Sequence, residues 1–201
     1  MSVPDGGFVT SRQTLLFKLP VALWLAWIIY WLRAARSAAG TRRSESWQSG
    51  VSYRIPLCLG IVLLSLRRLL PPPWSHLLYR APIQSAIAAV ALQGAGLGLT
   101  VWARIHLGKY WSATITLKQG HQVIQTGPYA RVRHPIYSGL LLALVGTVIW
   151  IGTLQSFLGA GLLFGSFIRK LTLEERWLRE HLGDEYGRYQ QRVKALIPGL
   201  I

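Results

Sequence analysis

The longest stretch of the chain without a charged residue runs from Pro135 to Ile168 and contains 34 residues. A helix needs about 20 residues to cross the hydrocarbon layer of a membrane. The stretch is therefore too long for one crossing and suits two. Gly152 and Thr153 lie near its middle, where a turn would fold the second helix back against the first. The sequence thus predicts a helical hairpin in a membrane.

Three other apolar runs precede this hairpin, in a chain that is 51% hydrophobic and 14% charged. Together the runs predict transmembrane helices at residues 14–33, 53–70, 82–103, 136–151 and 154–169. We therefore expect an all-α, polytopic membrane protein with about five spans, no β-sheet and a cytosolic amphipathic C-terminal helix.

The basic residues are distributed unevenly between the two predicted sides of the membrane. The segments 33–54, 104–134 and 169–201 hold 17 of the 22 Lys and Arg residues. Because basic loops stay in the cytosol, we expect the N-terminus outside and the C-terminus inside. The net charge of +15 then reflects topology and contact with anionic membrane lipids, not nucleic-acid binding. Arginine outnumbers lysine by 17 to 5, which hints at a GC-rich genome and a bacterial inner membrane.

Five of the seven acidic residues lie between Glu174 and Glu185. The segment from Leu171 to Ile197 has apolar residues at three- and four-residue steps, which predicts an amphipathic helix. Glu174 falls on the apolar stripe, where a carboxylate is costly unless a cationic group meets it. Glu175 lies off the stripe, where an ordinary surface pair with Arg179 would account for it.

A second group of polar and aromatic residues lies just before the fourth span. Gly127-Pro128-Tyr129 is followed by Arg133-His134-Pro135-Ile136-Tyr137. The two prolines stiffen this loop, and Pro135 suits the first turn of the next helix. Unpaired N–H groups at that helix start can receive an anionic group. Each residue alone could serve only the membrane interface; their combination indicates a binding site.

The string GPYARVRHPIYSG, with EERWLREHLGDEYGRYQQRV and Ile197-Pro198 after a two-span hairpin, resembles the isoprenylcysteine carboxyl methyltransferase family. The resemblance covers roughly residues 100–200 and leaves out the first three spans. It implies a membrane methyltransferase that uses S-adenosylmethionine. It also suggests an N-terminal three-span membrane region, residues 1–103, and a cofactor-binding and catalytic region, residues 104–201.

The resemblance also assigns roles to individual positions. It implies that the cofactor is bound by His121, Gln122, Val123, Ile124, Tyr129, His134, Pro135, Ile136, Tyr137 and Glu174. The family has a substrate-binding arginine four residues before the glutamate. Here that position is Lys170, next to Arg169, so a cation is kept but the forked guanidinium is lost.

Methyl transfer to a carboxylate requires alignment and exclusion of water more than it requires a base. We expect Arg133, Arg169 or Lys170 to position the carboxylate of a lipidic or isoprenoid-bearing acceptor at the cytosolic membrane boundary. No metal is expected, because the histidines are scattered and the chain has one cysteine.

Other functions remain open at this point. A phospholipid-amine N-methyltransferase could use the same cofactor pocket, and sterol reductases that use NADPH share the RHPxY theme. A non-catalytic scaffold or transporter subunit is a third possibility, although the later spans hold almost no polar residues. The run Gly94-Ala95-Gly96-Leu97-Gly98 lacks a preceding strand and is interpreted as small-residue helix packing.

Overall fold

The computed structural model describes residues 11–37, 40–66, 69–79, 81–118 and 122–200. These residues form five α-helices: α1 (Ser11–Ala34), α2 (Trp47–Ser65), α3 (Ile83–Leu107), α4 (Pro135–Ile151) and α5 (Leu154–Arg192). The all-α prediction is confirmed. By length and composition, α1, α3 and α5 can each cross a membrane, and α4 is a shorter apolar helix of 17 residues. The number of spans stays a prediction.

The chain does contain one small β-sheet, so the expectation of none is wrong in this respect. Strands β1 (Thr41–Ser44) and β2 (Thr116–Lys118) pair antiparallel. The pairing continues at Glu45, whose backbone N–H donates to the Ile115 carbonyl at 3.0 Å. Backbone groups of loops that pack together need partners, and the first and second basic segments, 33–54 and 104–134, supply these partners to each other.

Close backbone approach holds α3 against α4. A Cβ added at Gly96 would lie 2.5 Å from the Ala143 nitrogen, and one added at Gly139 would lie 2.5 Å from the Gly96 carbonyl. A Cβ at Gly94 or Gly98 would meet nothing within 4 Å among the described residues. The small-residue interpretation of this run therefore holds for Gly96, while its two glycine neighbours face open space.

The predicted turn between the last two spans is present at Gly152 and Thr153. Gly152 ends α4 with a left-handed φ of 66°, which favours glycine. Thr153 caps α5, because its side chain accepts from the Ser156 backbone and the Ser156 side chain accepts from the Thr153 backbone. Two apolar helices are thus reversed within two residues, as the sequence predicts.

Helix α5 joins two elements that we predicted separately, the fifth span and the C-terminal amphipathic helix, and it is kinked at Gly183, whose φ is 55°. It ends at Arg192 and not at Ile197. The next residue, Val193, is extended, and the carbonyls that follow it accept hydrogen bonds from the loop before α4: Arg133 N donates to Lys194 O at 2.8 Å and His134 N to Ala195 O at 2.9 Å. This long-range pairing replaces the last predicted turns of the helix.

The three basic segments meet at one end of the helix bundle. Arg104 donates to the Ala34 carbonyl at 2.5 Å, and Lys170 donates to the Ala113 carbonyl at 2.6 Å. These contacts join the loop after α1, the loop after α3 and the polar part of α5. The segments that the charge pattern places on one side therefore lie together, and the candidate site is at this end.

Candidate active site

The short helical turn Gly127–Ala130 forms the floor of the site. Gly127 has a φ of 58°, and Tyr129 is buried with 6% of its surface exposed. The hydroxyl of Tyr189, near the end of α5, donates to the Tyr129 carbonyl at 2.6 Å. The glycine-proline-tyrosine turn and the tyrosines of the C-terminal segment, far apart in sequence, thus hold each other in place.

The residues Arg133 to Ser138 tie the start of α4 to the C-terminal segment. Besides the two backbone bonds from Arg133 and His134, the Ser138 hydroxyl donates to the Leu196 carbonyl at 2.6 Å. Pro135 opens α4, where its missing N–H costs nothing. The C-terminal segment and the first turn of α4 therefore hold the loop that carries the predicted cofactor residues in place.

Glu175 is the partner of Arg133 and His134, which corrects the expected surface pair with Arg179. Its Oε1 accepts from Arg133 Nε at 2.6 Å and lies 3.1 Å from His134 Nε2, and its Oε2 accepts from Gln190 at 3.3 Å. The exposed fractions of the Glu175 and Arg133 side chains are 17% and 10%. The helical phase correctly separated Glu175 from the apolar stripe but could not show that another part of the chain covers this face.

Burial alone would raise the pKa of Glu175, which lies in the polar half of α5, beyond the predicted fifth span at 154–169. Hydrogen bonds from His134 and Arg133 and the charges of both residues oppose this and lower the pKa to about 2. Glu175 is therefore ionised at neutral pH. It acts as a clamp between α5 and the loop before α4.

Glu174 faces the other way, into a cavity. Its Oε2 accepts a hydrogen bond from the Tyr137 hydroxyl at 2.7 Å. The rings of Tyr137 and His134 are stacked, with centroids 5.5 Å apart. Glu174 lines the cavity together with Leu178 and Leu182, which agrees with its predicted place on the same stripe of the helix.

The cavity has a volume of about 440 Å³ and brings together most of the predicted site residues. Its lining includes Gln122, Val123, Ile124, Tyr129, Arg133, His134, Ile136, Tyr137, Lys170 and Glu174. Pro135 is fully buried beside it. Arg169 is exposed and points to the Ser52 hydroxyl on α2, 3.3 Å away. His121 lies outside the described residues.

Residues 88–180 match the sequence profile of the isoprenylcysteine carboxyl methyltransferase family. Relatives agree with this match. The protein-S-isoprenylcysteine O-methyltransferase of Schizosaccharomyces pombe is 32% identical over 99 residues, covering 48% of this chain and 42% of the relative. The probable protein-S-isoprenylcysteine O-methyltransferase of Oryza sativa subsp. indica is 32% identical over 117 residues, covering 58% and 56%. These findings support the isoprenylcysteine carboxyl methyltransferase family for residues 88–180, from within α3 into α5.

The chain spans about half the length of these isoprenylcysteine relatives. A relative named for a different activity is methanethiol S-methyltransferase 1 of Bradyrhizobium diazoefficiens, 40% identical over 70 residues, covering 35% of this chain and 24% of that protein. The match to the isoprenylcysteine carboxyl methyltransferase family begins within α3, so α1 and α2 lie outside it.

Helices α1 and α2 nevertheless contribute to the cavity, which the sequence did not indicate. Trp31 of α1 stacks on Trp111 with ring centroids 5.2 Å apart, and both line the cavity. Tyr53 and Arg54 of α2 line it as well. The sequence contained one indication of this contribution. Arg54 stands at the start of the second apolar run, where a cation needs a counter-charge or a functional role.

The cations at the cavity differ in how many of their donors are in use. Arg133 donates to Glu175 and to the carbonyls of Gln190 and Val193, so its guanidinium is committed to holding the fold. Lys170 donates to the Ala113 carbonyl at 2.6 Å, which leaves two ammonium protons without a hydrogen-bond partner in the described part of the chain. Of the three cations predicted to position an acceptor, Lys170 therefore has the most favourable placement.

Proposed function

We propose that this protein transfers a methyl group from S-adenosylmethionine to a carboxylate of a lipidic or isoprenoid-bearing acceptor. One observation carries the proposal. Three parts of the chain meet at one cavity that a cation, Lys170, also lines: the loop before α4 with Ile124 and Tyr129, the start of α4 with Tyr137, and α5 with Glu174. A volume of about 440 Å³ is within the usual range of about 300–1,000 Å³ for small-molecule and cofactor sites.

The residues at the cavity suit S-adenosylmethionine. The molecule has cationic sulfonium and ammonium groups and ribose hydroxyls, which a carboxylate and aromatic faces can meet. Glu174 uses Oε2 for Tyr137, and its Oε1 has no hydrogen-bond partner among the described residues. Tyr129, Tyr137 and Trp177 supply aromatic surface. We assign Glu174 and the loop residues 122–124 to the cofactor.

When bound, S-adenosylmethionine supplies an electrophilic methyl group whose transfer breaks a carbon–sulfur bond. A carboxylate is already a nucleophile at neutral pH, so the protein need only hold the acceptor in line and exclude water. Lys170 can attract the acceptor carboxylate, and the surrounding aromatic walls can keep water out. An amine acceptor would have to lose a proton and enter past cations, so the phospholipid-amine alternative is less well supported.

A transfer assay tests the proposal. The purified protein in detergent, with radiolabelled S-adenosylmethionine, should label S-farnesylcysteine, and the label should be released by mild base because it is held as a methyl ester. Calorimetry should show binding of S-adenosylmethionine and of its demethylated product, with no comparable response to NADPH. Base-stable label would indicate an amine or thiol acceptor, and preferential NADPH binding would indicate the reductase alternative.

We further propose that the active-site end faces the cytosol, because the three basic segments meet there. In a variant with Cys58→Ser, single cysteines placed at the exposed residues Gln48 and His76 test this. A membrane-impermeant thiol reagent applied from outside should label the cysteine at 76 and not the one at 48. Labelling at 48 alone would reverse the orientation.

A further inference from the structure

Arg54, at the beginning of α2, is a cation at the cavity for which the family match supplies no role. Its Nη2 donates to Glu45 Oε1 at 3.0 Å. Its Nε and Nη1 make no hydrogen bond within the described part of the chain. The side chain is 28% exposed and lines the cavity. One edge of the guanidinium is thus anchored, while the other retains donors that a ligand can use.

The surroundings of Arg54 hold its guanidinium in one place. Glu45, with 4% of its side chain exposed, also accepts from the Tyr53 hydroxyl. The rings of Trp47 and Tyr53 lie 5.2 and 5.5 Å from the Arg54 guanidinium carbon. Gly50, one turn earlier, leaves the space that the guanidinium fills, since a Cβ there would overlap it. An arginine fixed in this way loses little conformational entropy when it binds a ligand.

Arg54 is also connected to the proposed cofactor end of the cavity. Lys170 Nζ lies 5.5 Å from the same Tyr53 ring and 5.8 Å from the Tyr137 ring. Tyr137 in turn donates to Glu174. A line of side chains therefore runs from Arg54 through Lys170 to Glu174. Arg54 and Lys170 each lie 5.5 Å from the Tyr53 ring and each retain donors that make no hydrogen bond among the described residues. The Glu174 carboxylate lies at the far end of the line.

We propose that Arg54 holds the acceptor carboxylate together with Lys170, which makes it a further substrate-binding residue. This inference rests on the proposed function and names a second residue that would bind its carboxylate acceptor. Guanidinium donors match carboxylate geometry better than an ammonium does, so Arg54 provides from α2 the fork that Lys170 lacks.

The role of Arg54 follows from the charge balance of the reaction. One carboxylate oxygen forms a bond to the methyl carbon, the carbon–sulfur bond breaks, and its electron pair stays on sulfur. The acceptor changes from an anion to a neutral ester, and no proton is transferred. Arg54 therefore attracts the anionic acceptor but not the neutral ester product. Its main contribution is to the binding of the acceptor.

Steady-state kinetics with S-farnesylcysteine tests this role. Arg54→Gln and Gly50→Ala should each raise the KM for the acceptor by about tenfold or more, the size of one charge-assisted hydrogen bond. Gly50→Ala keeps the arginine and displaces only its guanidinium. The Kd for S-adenosylmethionine should stay within about twofold. The exposed Arg131→Gln variant should match the unmodified protein in both quantities.

The carboxamide analogue of the acceptor distinguishes recognition from a structural role. It has the same lipid tail without the charge, so its inhibition constant should not change in the Arg54 and Gly50 variants. Should Arg54→Gln fail to fold because Glu45 loses its partner, the double variant Glu45→Gln/Arg54→Gln removes both charges and is measured instead.

Three results would overturn the inference. An unchanged KM in both variants would show that Arg54 serves only the ion pair with Glu45. A weaker affinity for S-adenosylmethionine with an unchanged acceptor KM would place Arg54 at the cofactor. Transfer by the unmodified protein only to thiols or amines would overturn this inference together with the carboxylate acceptor of the proposed function, and would leave only the methyltransferase activity. Failure of the proposed function is thus recognised in the unmodified protein, by absent S-adenosylmethionine binding or absent transfer to a carboxylate, whereas the first two results are seen only in the variants.

Discussion

Glu175→Gln is expected to lower the free energy of unfolding by about 3 kcal/mol, near the lower end of the range for breaking a buried ion pair. The substitution keeps the shape of the side chain but leaves the mostly buried guanidinium of Arg133 without its counter-charge. Arg133 retains the carbonyls of Gln190 and Val193, which is why we expect the lower end. Thermal unfolding in detergent measures the effect. Glu180→Gln, at an exposed position on the same helix, is the matched control and should change stability by less than about 0.5 kcal/mol.

The pH dependence of unfolding provides a second test of the ion pair between Glu175 and Arg133. The pKa of Glu175 is lowered from 4.5 to about 2, so the carboxylate stabilises the folded protein above about pH 4.5. That stabilisation is lost as the pH falls from there towards 2. The difference in Tm between the unmodified protein and Glu175→Gln should therefore be full at neutral pH and shrink through this window. A Tm difference that stays constant with pH, or a Glu175→Gln effect equal to that of Glu180→Gln, would show that Glu175 does not hold α5 to the loop before α4.

Local patterns were sufficient where both partners of an interaction are close in sequence. The turn at Gly152 and Thr153 follows from the length of the uncharged stretch and from turn chemistry. The direction in which Glu174 points follows from its spacing to Leu178 and Leu182 along one helix. In both cases the local structure is determined by features that can be seen in the sequence, the turn residues in the first case and the helical spacing of apolar residues in the second.

Other features depend on contacts that no local pattern records. The apolar spacing of Val193 and Leu196 fits the last turns of a helix, but these residues lie outside α5 because the loop at Arg133 offers backbone donors to this segment. Glu175 looked like a surface residue because that same loop, whose Arg133 is 42 residues away in the sequence, covers it. The contribution of Arg54 was missed for a similar reason, since α2 has no motif and meets the cavity only in the folded protein.

Glu174→Gln is expected to weaken the binding of S-adenosylmethionine by about 1.5–3 kcal/mol, the range for a hydrogen bond to a charged group, or roughly 10- to 150-fold in Kd. Glutamine keeps an acceptor for the Tyr137 hydroxyl, so the fold at this position should persist while the charge is lost. Calorimetry with the purified protein measures the Kd, and unfolding measurements confirm that the variant is folded.

Two further variants make the Glu174 prediction specific. Tyr137→Phe removes the hydroxyl that orients Glu174 but keeps its charge, and it should weaken S-adenosylmethionine binding by only about 1 kcal/mol, the size of one ordinary hydrogen bond. Glu175→Gln should destabilise the protein and yet, where it remains folded, affect the Kd less than Glu174→Gln does. Equal losses of affinity in Glu174→Gln and Glu175→Gln would mean that the cavity-facing carboxylate does not contact the cofactor, because a loosened loop alone would then explain both.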